Sequence, residues 1–349
     1  MWIDIVWIMA GFILLLAGAD ALVRGASGTA AIFGITPLVI GLTVVAFGTS
    51  APEFAVSFMA AFAGKADIAV GNVVGSNIFN VLGILGVAAL IVPLTVATSL
   101  VKKEVPLLIL ISFSLYLFAL NGSLGRLEAG IYTMGIVAYT WWALKTGKQD
   151  AAAEPAKPKG NLPKHLAFLA IGLGLLILGS SWLVDGAVNL ATRMGVSELV
   201  IGLTIVAIGT SLPEAATSIV AGIKGERDIA VGNIVGSNLF NILGILGITG
   251  LISPTAIPFA QHAMEIDLPV MIVTALLCLP IFFTGFEINR LEGMLFLAGL
   301  GLYTTYLVLE AGHSPDLPGF VDAALHYALP ALALTLGYSI LSSFRKPKT

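Results

Sequence analysis

The sequence has little charge and almost no thiol or imidazole chemistry. Only 11% of its 349 residues are charged, and it contains one cysteine, Cys278, and four histidines. One cysteine excludes an internal disulfide framework, and the absence of a His or Cys cluster argues against a Zn²⁺ or Cu⁺ site. Soluble domains average about 25% charged residues, so the composition also argues against a soluble domain.

Familiar catalytic motifs are missing as well. The sequence has no HExxH motif, no GxSxG elbow and no pair of aspartates inside an apolar segment. We therefore expect neither an enzyme nor a bound cofactor. Nothing in the sequence indicates a nucleic-acid target or an obligatory protein partner.

What the sequence does have is a series of long apolar segments, with 58% hydrophobic residues overall. Segments of about 20 apolar residues cross the roughly 30 Å hydrocarbon layer as helices, so we predict an all-α polytopic membrane protein in contact with the lipid bilayer. The first segment is too long for a cleaved signal peptide and lacks a basic n-region. The candidate spans lie near 5–23, 36–62, 67–94, 105–121, 127–145, 165–184, 197–222, 228–252, 266–285, 291–310 and 322–343.

A polar stretch near the middle, KTGKQDAAAEPAKPKGNLPKH at 145–165, has the composition of a solvated linker. It divides the chain into two halves of five predicted spans each. The predicted units are a first repeat at 1–145, a cytoplasmic linker at 146–164, a second repeat at 165–312, and an eleventh transmembrane helix with a basic cytoplasmic tail at 313–349.

The basic residues predict the orientation. With the N-terminus outside, every one of the 17 Lys and Arg residues except Lys65, Arg126 and Arg193 falls on the inner side. This bias is the positive-inside rule. We therefore expect a multi-pass protein of the cell (inner) membrane with its N-terminus outside and its C-terminus in the cytoplasm.

The two halves repeat each other. A shift of 161 residues aligns 41–86 with 202–247 without gaps, and 31 of the 46 positions are identical. Because each half has an odd number of predicted spans, the second half must enter the membrane from the opposite side. Two inverted halves are an architecture of secondary transporters. The alternative is a duplicated structural bundle without a transport role.

Each repeat contains the phrase GTS(A/L)PE near the middle of a predicted span. The glycine loosens the helix, and Pro52 or Pro213 removes a backbone donor, so we predict two half-helices with a break between them. Glu53 and Glu214 then begin the second half-helix near the bilayer midplane. An ionised carboxylate there costs about 2.5–3.5 kcal/mol, which a cation or a proton must offset. The alternative is that both glutamates are protonated and only hold helices together.

A second repeated phrase, DIAVGN(V/I)VGSN(I/L)FN, places polar residues four apart on one helix face. The two stripes are Asn72, Ser76 and Asn80, and Asn233, Ser237 and Asn241. We expect the serines and the last asparagine of each stripe to line a site, whereas the first asparagines could serve interhelical hydrogen bonds alone. Asn77 and Asn238 lie off the stripes and are expected to bond to neighbouring backbone.

The two repeated phrases offer mostly oxygen atoms as candidate ligands for an ion. Two carboxylates, the backbone carbonyls of Thr49 and Thr210, and nearby hydroxyl and amide oxygens supply six to eight oxygen ligands with a charge of −2. This set suits Ca²⁺ better than Mg²⁺, which dehydrates reluctantly.

Together, the two phrases at matched spacing resemble the α-repeats of the cation/Ca²⁺ exchanger superfamily, most closely the prokaryotic sodium/calcium exchangers. The resemblance implies a ten-helix core with cation sites between the second, third, seventh and eighth helices. It implies that Ca²⁺ is held by Glu53, Glu214 and the carbonyls of Thr49 and Thr210. The Na⁺ ligands it implies are the carbonyls of Ala46 and Ala207 and the side chains of Ser50, Ser211, Ser76 and Ser237, with Asn80 and Asn241 bordering the middle site.

The predicted function is a secondary active antiporter that exchanges Na⁺ for Ca²⁺ by alternating access. The resemblance also makes the first and sixth spans candidates to slide past a rigid core, and these spans contain the small residues Gly18, Gly25, Gly179 and Gly186. Some relatives carry Asp where this chain has Asn241, so the Na⁺ stoichiometry stays open. A Ca²⁺/H⁺ antiporter and a passive cation channel are the alternatives.

Overall fold

The computed structural model describes residues 2–152, 161–195, 201, 205 and 207–345, and these residues are almost entirely helical. The long helices follow the apolar segments of the sequence. In chain order the helices are α1 (Trp2–Phe33), α2 (Pro37–Thr49), α3 (Ala51–Phe62), α4 (Ala66–Ile91), α5 (100–119), α6 (Arg126–Ala152), α7 (Leu162–Arg193), α8 (Ala207–Gly209), α9 (Leu212–Ile223), α10 (Arg227–Ile252), α11 (Ala263–Phe283), α12 (Arg290–Ala311) and α13 (317–345).

Within the described ranges, seven helices are long and apolar enough to cross a membrane, or eight if the bent pair α2 and α3 counts as one span. Among the seven is Leu317–Ser342, which covers the predicted C-terminal span at 322–343. The total of ten core spans plus an eleventh stays a prediction. Around the predicted linker, α6 continues to Ala152 and α7 begins at Leu162, so the helices extend into the segment that we assigned to the linker. Residues 153–160 lie outside the described ranges.

The helices α1 and α7 pack against each other along most of their lengths. They run antiparallel, because Gly11 of α1 lies against Gly179 and Gly18 lies against Gly172. A Cβ added at Gly11 would come within 2.6 Å of the Gly179 carbonyl oxygen. The two backbones therefore touch directly, as in other membrane interfaces made of small residues. The four glycines that we predicted for sliding all lie in this interface.

Two short strand pairs connect the halves. β1 (Leu94–Thr95) follows α4 and pairs antiparallel with β4 (Glu287–Ile288), which precedes α12. β2 (Ser123–Leu124) precedes α6 and pairs antiparallel with β3 (Ile257–Pro258), which follows α10. Each half thus contributes the same two strands and pairs them with the opposite strands of the other half.

At the centre of the structure lie α4 and α10. Most of α4 and nearly all of α10 is buried inside the protein. Each is preceded by a turn with a glycine in the left-handed region, Gly64 with φ +73° and Gly225 with φ +81°. Glycine suits these turns because it has no Cβ to clash at positive φ. The turns return the chain from α3 to α4 and from α9 to α10, and this brings the two repeated phrases side by side.

The C-terminal helix α13 packs on the outside of this core, against α11 and α12. Asn289 caps α12 in a capping box with Glu292. Ser339 of α13 donates a hydrogen bond of 2.9 Å to the same Glu292 carboxylate. The additional helix is therefore attached to the start of α12.

Candidate cation site

Both predicted helix breaks are present. The helical geometry is interrupted at Ser50 (φ −79°, ψ 10°) and at Ser211 (φ −89°, ψ 7°), and α2 and α3 meet at 46°. A proline in the first turn of α3 and of α9 makes the second half-helix start there. Glu53 and Glu214 lie in these first turns and are fully buried. Each carboxyl thus lies at the positive end of a helix dipole.

Each glutamate is held by the serine of the other repeat. Ser50 donates a hydrogen bond of 2.8 Å to Glu214 Oε1, and Ser211 donates one of 2.9 Å to Glu53 Oε1. The two bonds are equivalent under the internal repeat. The carboxyl of Glu53 is also close enough to that of Glu214 for electrostatic repulsion between them. The two helix breaks therefore bring two acids together in one buried site.

The predicted serines of α4 and α10 complete this polar cluster. Ser211 lies 3.2 Å from the hydroxyl of Ser76, and Ser237 donates a hydrogen bond of 3.4 Å to Glu214 Oε1. Both are buried. Ser237 thus shares Glu214 Oε1 with Ser50, and Ser76 joins the cluster through the Ser211 hydroxyl.

Four carboxyl and amide oxygens in the cluster have no hydrogen-bond partner among the described residues. They are the second carboxyl oxygens of Glu53 and Glu214 and the side-chain oxygens of Asn80 and Asn241. All four belong to buried residues. Buried polar oxygens are normally satisfied, and an unpaired one costs free energy. Four such acceptors, two from each repeat, match the oxygen ligands that a hard cation prefers.

The orientation of Asn80 and Asn241 comes from a reciprocal arrangement across the two halves. Asn80 donates 2.9 Å to Asn238 Oδ1, and Asn241 donates 2.9 Å to Asn77 Oδ1. In turn, the Asn77 and Asn238 amides donate to each other's backbone carbonyls, at 3.3 Å and 3.2 Å. These amides do bond to backbone as predicted, but to the opposite repeat rather than to neighbouring residues, because α4 and α10 cross in direct contact.

The π-helical turns of α4 and α10 begin beside these asparagines, at Asn80–Leu85 and at Phe240–Leu246. Such turns shift the backbone hydrogen-bonding pattern and often occur at functional sites. They lie at nearly matched positions in the two halves, and each contains the asparagine that donates to the opposite repeat.

The first asparagine of each stripe plays the interhelical role. Asn72 donates to the backbone carbonyl of Glu53 at 3.0 Å and to Ser57 Oγ at 2.9 Å. Asn233 repeats this pattern, at 3.4 Å to the carbonyl of Glu214 and 3.0 Å to Ser218. We did not predict Ser57 and Ser218, although the repeated spacing Glu-x-x-x-Ser would have indicated them. These bonds fix each glutamate-bearing half-helix to its partner helix.

Thr49 and Thr210 lie at the breaks, next to the carboxyls of Glu214 and Glu53 respectively. Thr49 donates 3.1 Å to Asn233 Oδ1, so its hydroxyl is engaged and its carbonyl remains the candidate ligand. The carbonyl of Ala46 accepts from the Ser50 amide at 3.1 Å. Ala207 begins α8. Whether the four carbonyls at these positions bind ions stays a prediction.

One contact of a helix break was not expected. The proline of the second break leaves the carbonyl of Gly209 without its helical donor, and Ser180 of α7 donates to that carbonyl at 3.3 Å. The position that corresponds to Ser180 in the first half is Ala19, which has no hydroxyl. The two breaks therefore differ in how they contact the α1–α7 pair.

The two buried negative charges of Glu53 and Glu214 can be compensated by one divalent cation, by monovalent cations or by protons. Within the described residues, no group of three or more His, Cys, Asp and Glu side chains could hold a metal ion. Any ion bound here would need neutral oxygens beside the two carboxylates. The hydroxyls and amides around Glu53 and Glu214 supply them.

A family model described as "Sodium/calcium exchanger protein" matches residues 3–145 and 164–309, which is most of the chain. The chain belongs to the sodium/calcium exchanger family. The expected membership of the cation/Ca²⁺ exchanger superfamily, in its prokaryotic branch, is thereby confirmed. The protein is a multi-pass membrane transporter and not an enzyme.

Individual relatives agree with the family. The exchanger is 42% identical over 301 residues to a putative antiporter, CaxA, of Alkalimonas amylolytica, which covers 84% of this chain and 94% of that relative. It is 31% identical over 302 residues to the sodium/calcium exchanger MaX1 of Methanosarcina acetivorans, covering 75% and 85%. Its fold matches a solved structure of the sodium-calcium exchanger NCX_Mj with a TM-score of 0.75 and 31% identity, over 87% of this chain and 97% of that one.

Proposed function

We propose that this exchanger is a secondary active antiporter that moves Ca²⁺ against Na⁺ through one site built around Glu53 and Glu214. The observation that carries the proposal is the meeting of two buried glutamates from different repeats, each with one carboxyl oxygen bonded and one unpartnered among the described residues. The names of the relatives MaX1 and NCX_Mj support Na⁺ as the counter-ion.

The charge of the site explains why exchange is obligatory. Two carboxylates in a buried environment need compensation close to +2. One Ca²⁺ supplies this, and so do several Na⁺ ions that share the same oxygens. Because both ions use the same two glutamates, they compete for the site and alternate in it.

The architecture that we propose for this transport is two inverted five-helix repeats around α4 and α10, with the N-terminus outside. The antiparallel packing of α1 on α7 and the reciprocal strand pairs support it. In this arrangement α1 and α7 move together relative to a core that contains both half-helix pairs, and the site opens first to one side of the membrane and then to the other.

The test is ⁴⁵Ca²⁺ uptake into proteoliposomes that contain Na⁺, for the wild type and for Glu53→Gln and Glu214→Gln. We expect either substitution to abolish uptake, because it removes half of the negative charge of the site. The matched control is Glu265→Gln, an exposed glutamate that contacts Gln261 far along the chain from the breaks, and its uptake should equal that of the wild type. Full uptake in both site variants would refute the proposal.

A second candidate is Ca²⁺/H⁺ exchange, because two buried carboxyls can also carry protons. Uptake should be measured with the pH clamped equal on both sides and only the Na⁺ gradient varied. Na⁺-driven uptake at clamped pH supports our proposal. Uptake that is independent of Na⁺ and driven by an imposed pH gradient would favour Ca²⁺/H⁺ exchange. Ca²⁺ flux without any counter-ion would indicate a channel.

A further inference from the structure

The helix α1 is attached to one turn of the core by polar contacts. The Lys224 turn, which we define as residues 224–226 between α9 and α10, provides a lysine whose amino group forms a salt bridge with the carboxylate of Asp20. The same amino group lies 3.4 Å from the Asp20 carbonyl oxygen. Two helical turns further along α1, Ser27 donates a hydrogen bond of 2.8 Å to Glu226. These contacts close α1 against the core on this face.

The other charged group at this contact is Arg24, which pairs with Asp20 within α1 at 2.8 Å. It lies one helical turn from Asp20 and makes no salt bridge to α9 or α10 within the described residues. Asp20 therefore has two cationic neighbours, but only Lys224 connects α1 to the core. If Arg24 is removed, Asp20 keeps its salt bridge to Lys224 and the charged contact between α1 and the core remains. If Lys224 is removed, Asp20 keeps Arg24 but this contact is lost.

The opposite face carries a different pair of charges, Asp185 and Lys65, which form no salt bridge with each other among the described residues. The repeat shift of 161 residues places Asp185 at the position of Arg24 and Lys65 at the position of Glu226, so both signs are reversed. Lys65 belongs to the Lys65 turn, which we define as residues 63–65 between α3 and α4. Both side chains are exposed and neither forms a salt bridge with a described residue. In the described residues α7 also makes little contact with α3, whereas α1 packs along α9.

The two faces are therefore in different states although the sequence around them repeats. Because the backbones of α1 and α7 touch along their glycines, we expect the pair to shift as one body. A movement that brings α7 onto the Lys65 turn must take α1 away from the Lys224 turn.

We propose that Asp20–Lys224 and Asp185–Lys65 are two alternative latches, each of which holds one end state of the transport cycle. This inference rests on the alternating access of the proposed function. The structure has the first latch closed and the second open. When the α1–α7 pair shifts, Asp20 leaves Lys224 and Asp185 meets Lys65, so each state retains one salt bridge between the moving pair and the core.

The two latches are not equivalent under the repeat, because the residues that correspond to Asp20 and Lys224 are Ser181 and Ala63. The residue that corresponds to Ser27 in the second half is Val188, which cannot donate to the Lys65 turn. The face with Asp20 and Lys224 therefore has a second interhelical hydrogen bond and the other face has none at the matching position. The protein without a driving gradient should populate the state closed at the Lys224 turn more than the other state.

The size of the effect follows from the exposure of the pair. The side chains of Lys224 and Asp20 are 28% and 37% exposed, so water screens part of their attraction. Partly exposed pairs change an equilibrium by about two- to fivefold, and a latch that exists in only one state shifts the population by that factor.

The test uses cysteine crosslinking, because the chain has a single buried cysteine that can be replaced. In a Cys278→Ala background, Lys65→Cys and Asp185→Cys are introduced together, and the rate of disulfide formation with a mild oxidant is measured in liposomes. We expect slow crosslinking with the Asp20–Lys224 latch intact, and crosslinking about two- to fivefold faster when Asp20→Asn is added. The matched control is Arg24→Gln, which removes a charge from the same helix but no salt bridge to the core, and it should change the rate less.

A crosslinking rate that Asp20→Asn does not raise, or raises no more than Arg24→Gln does, would overturn the inference. A second measurement covers the case in which the cysteine variant folds poorly. Lys65→Asp and Asp185→Lys should each slow exchange about two- to fivefold, and the double reversal should restore it. Crosslinking can be measured without ion transport, so the two proposals can fail separately. If Asp20→Asn leaves the crosslinking rate unchanged but Glu53→Gln abolishes uptake, the latch is refuted and the proposed function stands. If Glu53→Gln leaves uptake unchanged, the proposed function is refuted whatever the crosslinking rate.

Discussion

The cross-repeat serine bonds give the sharpest prediction about affinity. Ser50→Ala and Ser211→Ala each remove one hydroxyl that donates to a glutamate of the opposite repeat, at 2.8 Å and 2.9 Å. Both serines are completely buried, so water cannot easily replace the lost donor. A hydrogen bond to a charged group contributes about 1.5–3 kcal/mol, which corresponds to roughly a 10- to 150-fold change in an equilibrium constant.

We expect a loss of apparent Ca²⁺ affinity in this range, because each carboxyl loses the contact that directs its second oxygen into the site. The two variants should resemble each other, since the two bonds are related by the repeat. The assay is the Ca²⁺ concentration for half-maximal Na⁺-driven ⁴⁵Ca²⁺ uptake in proteoliposomes. Ser114→Ala is the control, because among the described residues Ser114 forms its hydrogen bonds with Ile111 and Tyr132 and none with the site. Affinities of both site variants within twofold of the wild type would refute the reasoning.

Two further perturbations test the packing around the site. In Gly172→Ala the added Cβ would lie 2.6 Å from a backbone nitrogen of α1, so we expect the fold to be destabilised by about 1–3 kcal/mol and exchange to be slower. Thermal unfolding in detergent and ⁴⁵Ca²⁺ uptake measure these effects. Gly174→Ala is the control, because its added Cβ would meet no atom within 4 Å, and it should match the wild type. Asn77→Ala and Asn238→Ala should each destabilise the fold by about 1–3 kcal/mol, and the double variant should cost less than the sum because the residues share bonds. Strict additivity in chemical denaturation would contradict a reciprocal pair.

The sequence predicted the elements of the site because their causes are local. A proline two residues after the serine of GTS(A/L)PE ends one helix and starts the next, wherever the helix packs. The breaks at Ser50 and Ser211 and the placement of Glu53 and Glu214 in first turns therefore needed no tertiary information. The family resemblance followed from the same two phrases and is confirmed by the match over most of the chain.

Contacts between residues far apart in the chain could not be predicted in this way. The sequence shows that Asn77 lies off the polar stripe of α4, but only the crossing of α4 and α10 determines that its amide bonds to Asn238 of the other half. The same holds for Ser180, whose partner is a carbonyl released by a break in another helix. Such pairings depend on the register between helices, which the sequence repeat does not fix.

By itself, the sequence determined that this chain crosses a membrane, that it repeats, and that each repeat breaks a helix beside one buried glutamate, because apolar length, identity and proline chemistry act within a single segment. Only the tertiary structure decided that the serine of one repeat bonds to the glutamate of the other. It also decided that α1 closes on the Lys224 turn while Lys65 and Asp185 stay unpaired among the described residues. The repeated phrases occur in both halves, but in the folded protein the α1–α7 pair packs through α1 along α9 and makes little contact with α3 among the described residues, so the two faces differ in structure.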